Sequence, residues 1–196
     1  MEIEAAVVRE ESGPFEIETL ELDDPQPGEV RVRIVGAGLC HTDIAVREQY
    51  YPTPLPAVLG HEGSGVVEAV GEGVTKVDPG DRVVLTFDSD GNCRNCREGD
   101  VAYCEDFFEH NFAGRRVSDG STPIHDDGED VSGMFFGQSS FGTHALATER
   151  NVVPVEDDVP LELLGPLGCG IQTGAGAVIN TLDPQAAASI VVFGTG

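Results

Sequence analysis

The sequence is poor in basic residues. Lys and Arg together number 11 against 35 Asp and Glu, which gives a formal net charge of -24 at pH 7. Because such a surface repels phosphate backbones and anionic lipid headgroups, we predict no nucleic-acid or membrane partner. Apolar runs of the roughly 18 residues that a membrane span needs are also missing. The first ten residues carry three Glu and one Arg without the cationic start and apolar block of a signal peptide. We therefore expect a cytoplasmic protein.

Lysine is scarcer still, since Lys76 is the only one, and the carboxylates are spread along the chain instead of gathered in a tail. An ordinary acidic protein is one interpretation. The lack of lysine favours a halophilic one, in which high internal salt screens the self-repulsion over a few Å.

The five cysteines form an odd number in a chain without signs of secretion, which argues against a disulfide framework. Metal ligation is the better interpretation. Cys93, Cys96 and Cys104 lie within twelve residues of one another, whereas Cys40 and Cys169 stand far apart.

Short strands dominate the first ninety residues. Val30, Val32 and Ile34 alternate with Arg31 and Arg33, a pattern typical of a strand with one buried face. Further β-rich runs cover residues 65–70, 82–87, 141–148 and 152–155, with Gly- and Pro-rich turns between the early ones. Several short strands separated by such turns predict a small barrel or sandwich.

The remaining segments differ in texture. Residues 111–133 are rich in Gly, Ser and Asp and predict a long surface loop, while 161–182 predict a helix broken near 166–168. Residues 188–193 predict an apolar strand that runs into Gly194-Thr195-Gly196. A buried strand followed by Gly-x-Gly opens a dinucleotide-binding βαβ unit, although taken alone the pair of glycines is more often a simple turn.

Two groups of residues have metal-ligand character. Asp90, Cys93 and Cys96 are spaced by two residues each and Cys104 follows after seven, the arrangement of a closed tetrahedral zinc site. A redox or merely buried cysteine cluster is the alternative, and the Asp weakens the site relative to four thiolates. The second group is dispersed, and two thiolates with one imidazole form a three-ligand zinc site with an open position. Its candidate members are Cys40, His61 with Glu62 beside it, and Cys169.

Together these motifs carry a resemblance to a known family. The chain contains Gly-Leu-Cys-His-Thr-Asp at 38–43, Gly-His-Glu-Gly-Ser-Gly at 60–65 and Val-Gly-Glu-Gly-Val at 70–74, besides the Asp90 group and Cys169. In this order they resemble the zinc-dependent medium-chain alcohol dehydrogenases. Residues 136–141 and 165–177 look most like the aryl- or benzyl-alcohol dehydrogenase branch.

The resemblance implies a mostly β fold with some α: a chaperonin-10 (GroES)-like catalytic β-barrel domain over residues 1–170. Residues 171–196 would be the opening helix and first strand of an incomplete Rossmann domain. We therefore expect a fragment of a longer, homo-oligomeric enzyme, which binds zinc but does not turn over alcohol by itself. That enzyme would oxidise a primary, aromatic alcohol to its aldehyde, and catalyse the reverse, with NAD or NADP.

The resemblance also assigns roles to single residues. One catalytic zinc ion would be held by Cys40, His61 and Cys169, with Glu62 able to swing onto it, and one structural zinc ion by Asp90, Cys93, Cys96 and Cys104. The zinc would acidify the alcohol so that hydride can leave for the nicotinamide. Thr42 would accept the alcohol proton, and Asp43 would orient His61. Cofactor contacts would come from His41, Thr173, Gly194 and Gly196.

Two positions depart from the family pattern. Asp90 replaces a thiolate, and Ala45 replaces a histidine that ends the proton relay in some relatives, so we expect the proton to leave through cofactor ribose and water. His110, His125 and His144 show no partner pattern and are interpreted as surface residues. One or two of Phe107, Phe108, Phe112, Phe135 and Phe136 are candidates for an apolar substrate pocket, with ordinary packing as the alternative.

Three alternative functions remain open. A glutathione-linked formaldehyde dehydrogenase would share the zinc ligands but use a basic pocket, which the Phe-rich segment disfavours. A non-catalytic zinc-stabilised module would have no exchangeable ligand position, and Thr42 beside the ligand set disfavours it. A zinc-free reductase of the same superfamily would lack the ligands.

Overall fold

The computed structural model describes residues 1–194, and its described part is built on two antiparallel sheets of five strands each. The strands are β1 Glu2–Val8, β2 Glu16–Leu22, β3 Glu29–Ala37, β4 Ala57–Val58, β5 Gly63–Val70, β6 Arg82–Leu85, β7 Ile124–Asp126, β8 Glu129–Val131, β9 His144–Thr148 and β10 Val152–Pro154. The short helices are α1 His41–Arg47, α2 Arg94–Glu98, α3 Phe107–Phe112 and α4 Gly170–Gly176. The predicted barrel or sandwich of short strands is confirmed.

The strand order is β4-β1-β2-β7-β8 in one sheet and β10-β6-β5-β3-β9 in the other. The predicted alternation along β3 is confirmed, since Val30 and Val32 are fully buried while Arg33 is exposed. β3 pairs with β5 and β9, and two register shifts in its pairing with β5 bend the strand. The site described below forms where β3 and β6 end and β5 begins.

The interpretation of residues 111–133 as a long surface loop is wrong in part. β7 and β8 form a hairpin that adds to β2 through the pair Leu22 and Ile124. Asp127 and Gly128 make its two-residue turn with φ of 48° and 88°, and this Asp-Gly turn is a strong hairpin signal. Ahead of the hairpin, the buried guanidinium of Arg116 donates to Glu29 over 2.8 Å and ties the segment to the start of β3.

Three apolar clusters make up the core of the described residues. One lies on the β1–β2 side around Leu20 and Ile124, and a second fills the inside of the other sheet around Val32 and Leu85. The third joins α1 to the sheets. Its fully buried members are Val8, Val46, Ala57, Leu59 and Phe135. This third cluster fixes α1 beside the residues that follow β4.

The chain after β10 follows the predicted broken helix. Short 3-10 turns over Leu161–Leu163 and Gly165–Gly168 precede α4, which continues as π-helical turns over Ala177–Leu182. The strand predicted over 188–193 is not formed: these residues are exposed, and no strand of the described residues pairs with them. An apolar segment needs a neighbour for its backbone N–H and C=O groups before it becomes a strand. Gly194 is exposed, and Gly196 lies outside the described residues.

None of the helices within residues 1–194 combines the length and the apolar character that crossing a bilayer requires.

Candidate metal centres and substrate cleft

The turn into α1 positions the first candidate ligand. Cys40 is the residue that precedes the helix, and its backbone N–H donates to Oδ2 of Asp43 over 2.9 Å. Asp43 lies in the first helical turn and is fully buried. Since a carboxylate at this position satisfies a free N–H of the helix start, the sequence Cys-His-Thr-Asp sets the direction of the Cys40 side chain.

His61 is fixed by the same carboxylate. Gly60 has φ of 90° and its N–H donates to Oδ1 of Asp43 over 3.1 Å, and Nδ1 of His61 lies 2.9 Å from that oxygen. A Cβ on Gly60 would approach the backbone N of Phe141 to 2.5 Å, so the close turn requires glycine. With Nδ1 engaged by Asp43, Nε2 of His61 is buried and has no hydrogen-bond partner among the described residues. Such an orphaned ring nitrogen fits a metal ion.

Cys169 completes the group from the far end of the chain. It follows the Gly165–Gly168 turn, in which a Cβ on Gly168 would lie 2.0 Å from the carbonyl oxygen of Leu85. Glycine therefore lets this turn touch the end of β6. One donor atom from each of Cys40, His61, Glu62 and Cys169 lies within 4.8 Å of the others. Two thiols and an imidazole are the donors of three-ligand zinc sites.

The titration of these groups favours a cation. Burial opposes protonation of His61, but the hydrogen bond with Asp43 and the closeness of the Cys169 sulfur outweigh burial and raise its pKa to about 10. Burial also opposes ionisation of Cys40, yet hydrogen bonding with Thr42 and the closeness of the His61 ring lower the pKa of its thiol. A metal ion would take the place of the proton on His61, so that binding releases a proton.

Glu62 is held in a cradle of glycines beside the other donors. Its Oε1 accepts the N–H of Gly170 over 3.1 Å. A Cβ on Gly38 would lie 2.1 Å from Oε2, and one on Gly165 would lie 2.1 Å from the Glu62 carbonyl oxygen. The carboxylate therefore has its place only because glycine occupies these positions.

The other predicted residues lie at different distances from this group. The Thr42 hydroxyl is 3.6 Å from Sγ of Cys40 and is half-buried. His41 is exposed at the first position of α1, and Thr173 is exposed on α4, where it lines the cleft described below. Gly194 is exposed in the segment after the helical turns. The structure thus brings Thr42 to the donors and leaves His41 and Thr173 open to a ligand.

The second predicted group also converges. Donor atoms of Asp90, Cys93, Cys96 and Cys104 lie within 4.8 Å of one another. Cys93 caps α2, since its Sγ accepts the N–H of Cys96 over 3.4 Å. Backbone N–H groups of Cys93 and Asn92 hold the pKa of Asp90 well below its usual range. Burial and then Asp90 raise the pKa of Cys96 to about 12. Three thiols and one carboxylate fit a closed zinc site.

An apolar cleft of about 510 Å³ opens beside Cys169. Its wall includes four aromatic rings, those of Phe87, Tyr103, Phe107 and Phe136. Of the predicted phenylalanines, Phe107 and Phe136 therefore face the cleft. Phe108 and Phe112 line a separate groove, and Phe135 is fully buried. Phe87 was not predicted, because an aromatic residue at a strand end carries no pattern of its own.

The interpretation of three histidines as surface residues without partners is wrong. His110 Nδ1 lies 3.0 Å from the nearly buried Asp88, and this hydrogen bond raises the pKa of His110. His125 contacts Asp23 and Asp130, and His144 contacts Glu68. Asp130 faces His125 across the β7–β8 hairpin, whereas Asp23, Asp88 and Glu68 are distant in sequence from the histidines that they contact.

The comparisons with known proteins agree with the geometry. Residues 26–157 match the family model described as the alcohol dehydrogenase GroES-like domain. The chain belongs to this family. The resemblance to zinc medium-chain alcohol dehydrogenases and the GroES-like fold are both confirmed.

Three relatives illustrate the similarity. The chain is 54% identical over 193 residues to the geraniol dehydrogenase of Castellaniella defragrans, with 98% of this chain and 52% of that protein covered. It is 50% identical to the crystal structure of benzyl alcohol dehydrogenase from Acinetobacter calcoaceticus, with a TM-score of 0.90 and coverage of 96% and 51%. The chain is also 54% identical to the crystal structure of an alcohol dehydrogenase zinc-binding domain protein from Burkholderia ambifaria. The TM-score is 0.93, and the match covers 96% of this chain and 51% of that chain. The chain spans about half the length of these relatives.

Proposed function

We propose that this chain is the metal-binding part of a zinc-dependent dehydrogenase that interconverts a primary, aromatic alcohol and its aldehyde with NAD or NADP. The observation that carries the proposal is the buried, unpartnered Nε2 of His61 beside the thiols of Cys40 and Cys169. A metal cation satisfies a nitrogen, two thiols and a carboxylate gathered in this way. The proposed boundaries are 1–170 for this domain and 171–196 for the start of the nucleotide-binding domain.

The chain's own residues would divide the work between them. A zinc ion held by Cys40, His61 and Cys169 would supply Lewis-acid chemistry toward an alcohol hydroxyl. Asp43 accepts from Nδ1 and so presents Nε2 of His61 as a ligand. Thr42, next to Cys40, is placed to accept the hydroxyl proton.

Ala45 stands where some relatives carry a further histidine of the proton relay, and it is buried and has no titratable group. The proton that Thr42 accepts would therefore leave on the side where His41 is exposed. Glu62, resting in its glycine cradle, is the group that would move onto the metal when the open position is vacated.

The cleft supports an apolar, planar substrate. Phe87, Phe107 and Phe136 line it, and Asp100 is the only charged side chain among the described residues of its wall. Aromatic rings stack against such walls, whereas an anionic glutathione adduct needs a basic pocket. The printed name of one relative, benzyl alcohol dehydrogenase, fits an aromatic alcohol, and that of another, geraniol dehydrogenase, fits an apolar primary alcohol without an aromatic ring. The formaldehyde alternative is therefore disfavoured.

The cofactor contacts are proposed for His41, Thr173, Gly194 and Gly196. His41 and Thr173 are exposed on the two helices that follow Cys40 and Cys169, and Thr173 lines the cleft. The whole protein is proposed to be a cytoplasmic homo-oligomer. Size-exclusion chromatography with light scattering tests its oligomeric state.

Metal analysis tests the proposal directly. We expect about two zinc ions per chain, one for each group of donors. Cys169→Ser should lose the ion of the first group and Asp90→Ala that of the second, so each variant is the control for the other. A zinc content near zero in the unmodified protein would refute the dehydrogenase function. One ion per chain that survives in Asp90→Ala would show the second group to be empty.

A second measurement tests whether the 196 residues alone bind the cofactor and catalyse the reaction. We expect no reduction of NAD⁺ or NADP⁺ with benzyl alcohol and no tight cofactor binding, because the chain spans about half of its relatives. Titration with each nicotinamide, followed by fluorescence, checks this. Tight binding would show that the nucleotide site needs no more than these residues.

A further inference from the structure

We propose that Phe136 is a positioning residue that sets the ring plane of His61 and thereby aims Nε2 at the thiols of Cys40 and Cys169. The inference rests on the metal centre proposed above. It assigns to Phe136 a role in metal binding in addition to its place in the wall of the cleft.

The rings give the first argument. The hydrogen bond to Asp43 holds the His61 ring at Nδ1, so the ring can still tilt about that contact. Phe136 lies on the ring face, with centroids 4.6 Å apart and planes 30° apart, and Phe135 meets it edge-on at 5.6 Å and 89°. The two phenylalanines therefore restrain this tilt and add to the orientation that Asp43 provides.

The backbone gives the second argument. Phe136 has φ of 51° and ψ of 33°, a left-handed conformation that costs free energy for an aromatic residue. Such a conformation persists where the surroundings enforce it, and it concentrates at functional sites. Here Asn151 Nδ2 donates to the Gly137 carbonyl over 3.0 Å, and a Cβ on Gly137 would meet that of Asp88 at 2.7 Å. The turn is thus fixed from both sides.

The same turn also forms hydrogen bonds with the backbone of residues 61–63, which include the candidate ligand His61. Gln138 is fully buried, and its Nε2 donates to the His61 carbonyl over 3.0 Å. Its Oε1 accepts the N–H of Gly63 over 3.1 Å. Residues 136–138 therefore hold His61 by its ring and by its main chain, which makes the strained position of Phe136 a part of the ligand's support.

Phe107 provides a matched comparison. It lines the same cleft and its ring packs edge-on against Phe136 with centroids 6.2 Å apart, and its other aromatic contacts include Phe87 and Phe108 but not His61. A change at Phe107 alters the cleft without removing a ring that contacts His61, whereas a change at Phe136 alters the cleft and the contact with the metal ligand. The two positions separate substrate effects from metal effects.

Cadmium NMR spectroscopy of the metal-loaded protein tests the inference, since the two donor sets give separate resonances. Phe136→Leu keeps apolar bulk and removes the planar ring. We expect it to shift the resonance of the Cys40 site and to weaken cadmium binding there about tenfold. The resonance of the Asp90 site should not move. Phe107→Leu should leave both resonances in place, and Phe136→Tyr, which keeps the stacked ring, should restore the first.

Each outcome of this experiment supports or overturns the role of Phe136. A Phe136→Leu protein with the cadmium resonance and affinity of the wild type would overturn that role and leave the proposed metal centre unaffected. If that variant does not fold, Phe136→Gly gives the same comparison, since glycine relieves the left-handed conformation. A wild-type protein that binds no cadmium through Cys40 overturns both the proposed metal centre and the role of Phe136.

Discussion

Oδ1 of Asp43 lies 2.9 Å from Nδ1 of His61, and both side chains are fully buried. The same oxygen accepts the N–H of Gly60, and Oδ2 accepts the N–H of Cys40. One carboxylate therefore connects the two segments that carry the first two candidate ligands. We therefore expect the first candidate metal centre to depend on this residue, although it donates no ligand atom.

Asp43→Asn should weaken zinc binding at the Cys40 site by tenfold to a hundredfold, the usual range for a residue that orients a metal-binding histidine. An amide has one acceptor oxygen, so either His61 or a backbone N–H loses its partner. Competition with a chelator measures the affinity. Glu48→Gln at the end of α1 makes the same change of charge and should leave the affinity as it is. Equal affinities of Asp43→Asn and wild type would contradict the support role.

Gly38→Ala should destabilise the protein and displace Glu62. Its φ is one that alanine adopts freely, but the new Cβ would lie 2.1 Å from Oε2 of Glu62. The carboxylate must leave its cradle, which costs about 1 to 3 kcal/mol because a buried charge loses its place. Thermal and urea unfolding measure the loss.

Gly174→Ala is the matched control for this variant. Gly174 lies in α4, and a Cβ there meets nothing within 4 Å. Alanine in a helix should therefore stabilise the protein by about 0.5 to 1 kcal/mol. If both variants shift stability in the same direction, the cradle is not what requires glycine at position 38.

The sequence predicted the donor sets better than the contacts that support them. The spacing of Cys93, Cys96 and Cys104 is local, so it could predict a metal site. β3 was predicted for the same reason, because its alternation of buried and exposed residues is also local. The ion pair of Arg116 with Glu29 joins residues that are 87 positions apart. No periodicity links such residues, so only the folded sheets bring them together.

Two other differences have physical reasons of separate kinds. The β7–β8 hairpin has a local signal in Asp127-Gly128, which a composition rich in Gly and Asp concealed. Residues 188–193 have the composition of a strand but pair with no described strand. A strand is a property of two segments, and a sequence pattern reports only one of them.

The melting temperature should rise with salt. Glu2 and Glu21 are exposed and directly opposite each other on β1 and β2, a like-charge pair that destabilises the sheet. At 1 M salt the screening length falls to about 3 Å and the repulsion fades. Equal melting temperatures in dilute and multimolar salt would contradict a halophilic protein.

Glu21→Gln tests how much the Glu2–Glu21 pair contributes to the dependence of stability on salt. It should raise stability at low salt by about 0.2 to 1 kcal/mol and reduce the gain that salt brings. Glu72→Gln, in the exposed turn after β5, removes the same charge away from the strand pair and should change the salt response less.

His110 and Asp88 should make stability depend on pH in a defined direction. The hydrogen bond with Asp88 raises the pKa of His110, and among the facing groups Arg150 opposes the shift while Asp90 adds to it. Because the folded pKa lies above the unfolded value of about 6.5, the stabilisation is complete below that pH. It declines as the pH rises through the folded pKa of His110.

A double-mutant cycle measures this coupling without the other titrating groups. The cycle uses His110→Gln, Asp88→Asn and the double variant, unfolded by urea at a series of pH values with zinc in excess. The coupling free energy should be about 1 kcal/mol near pH 6, since the pair is partly screened by solvent, and should shrink toward pH 9. A neutral imidazole still donates a hydrogen bond, so a remainder is expected at high pH. A coupling free energy that stays constant across this range would show that His110 supports the fold without its charge.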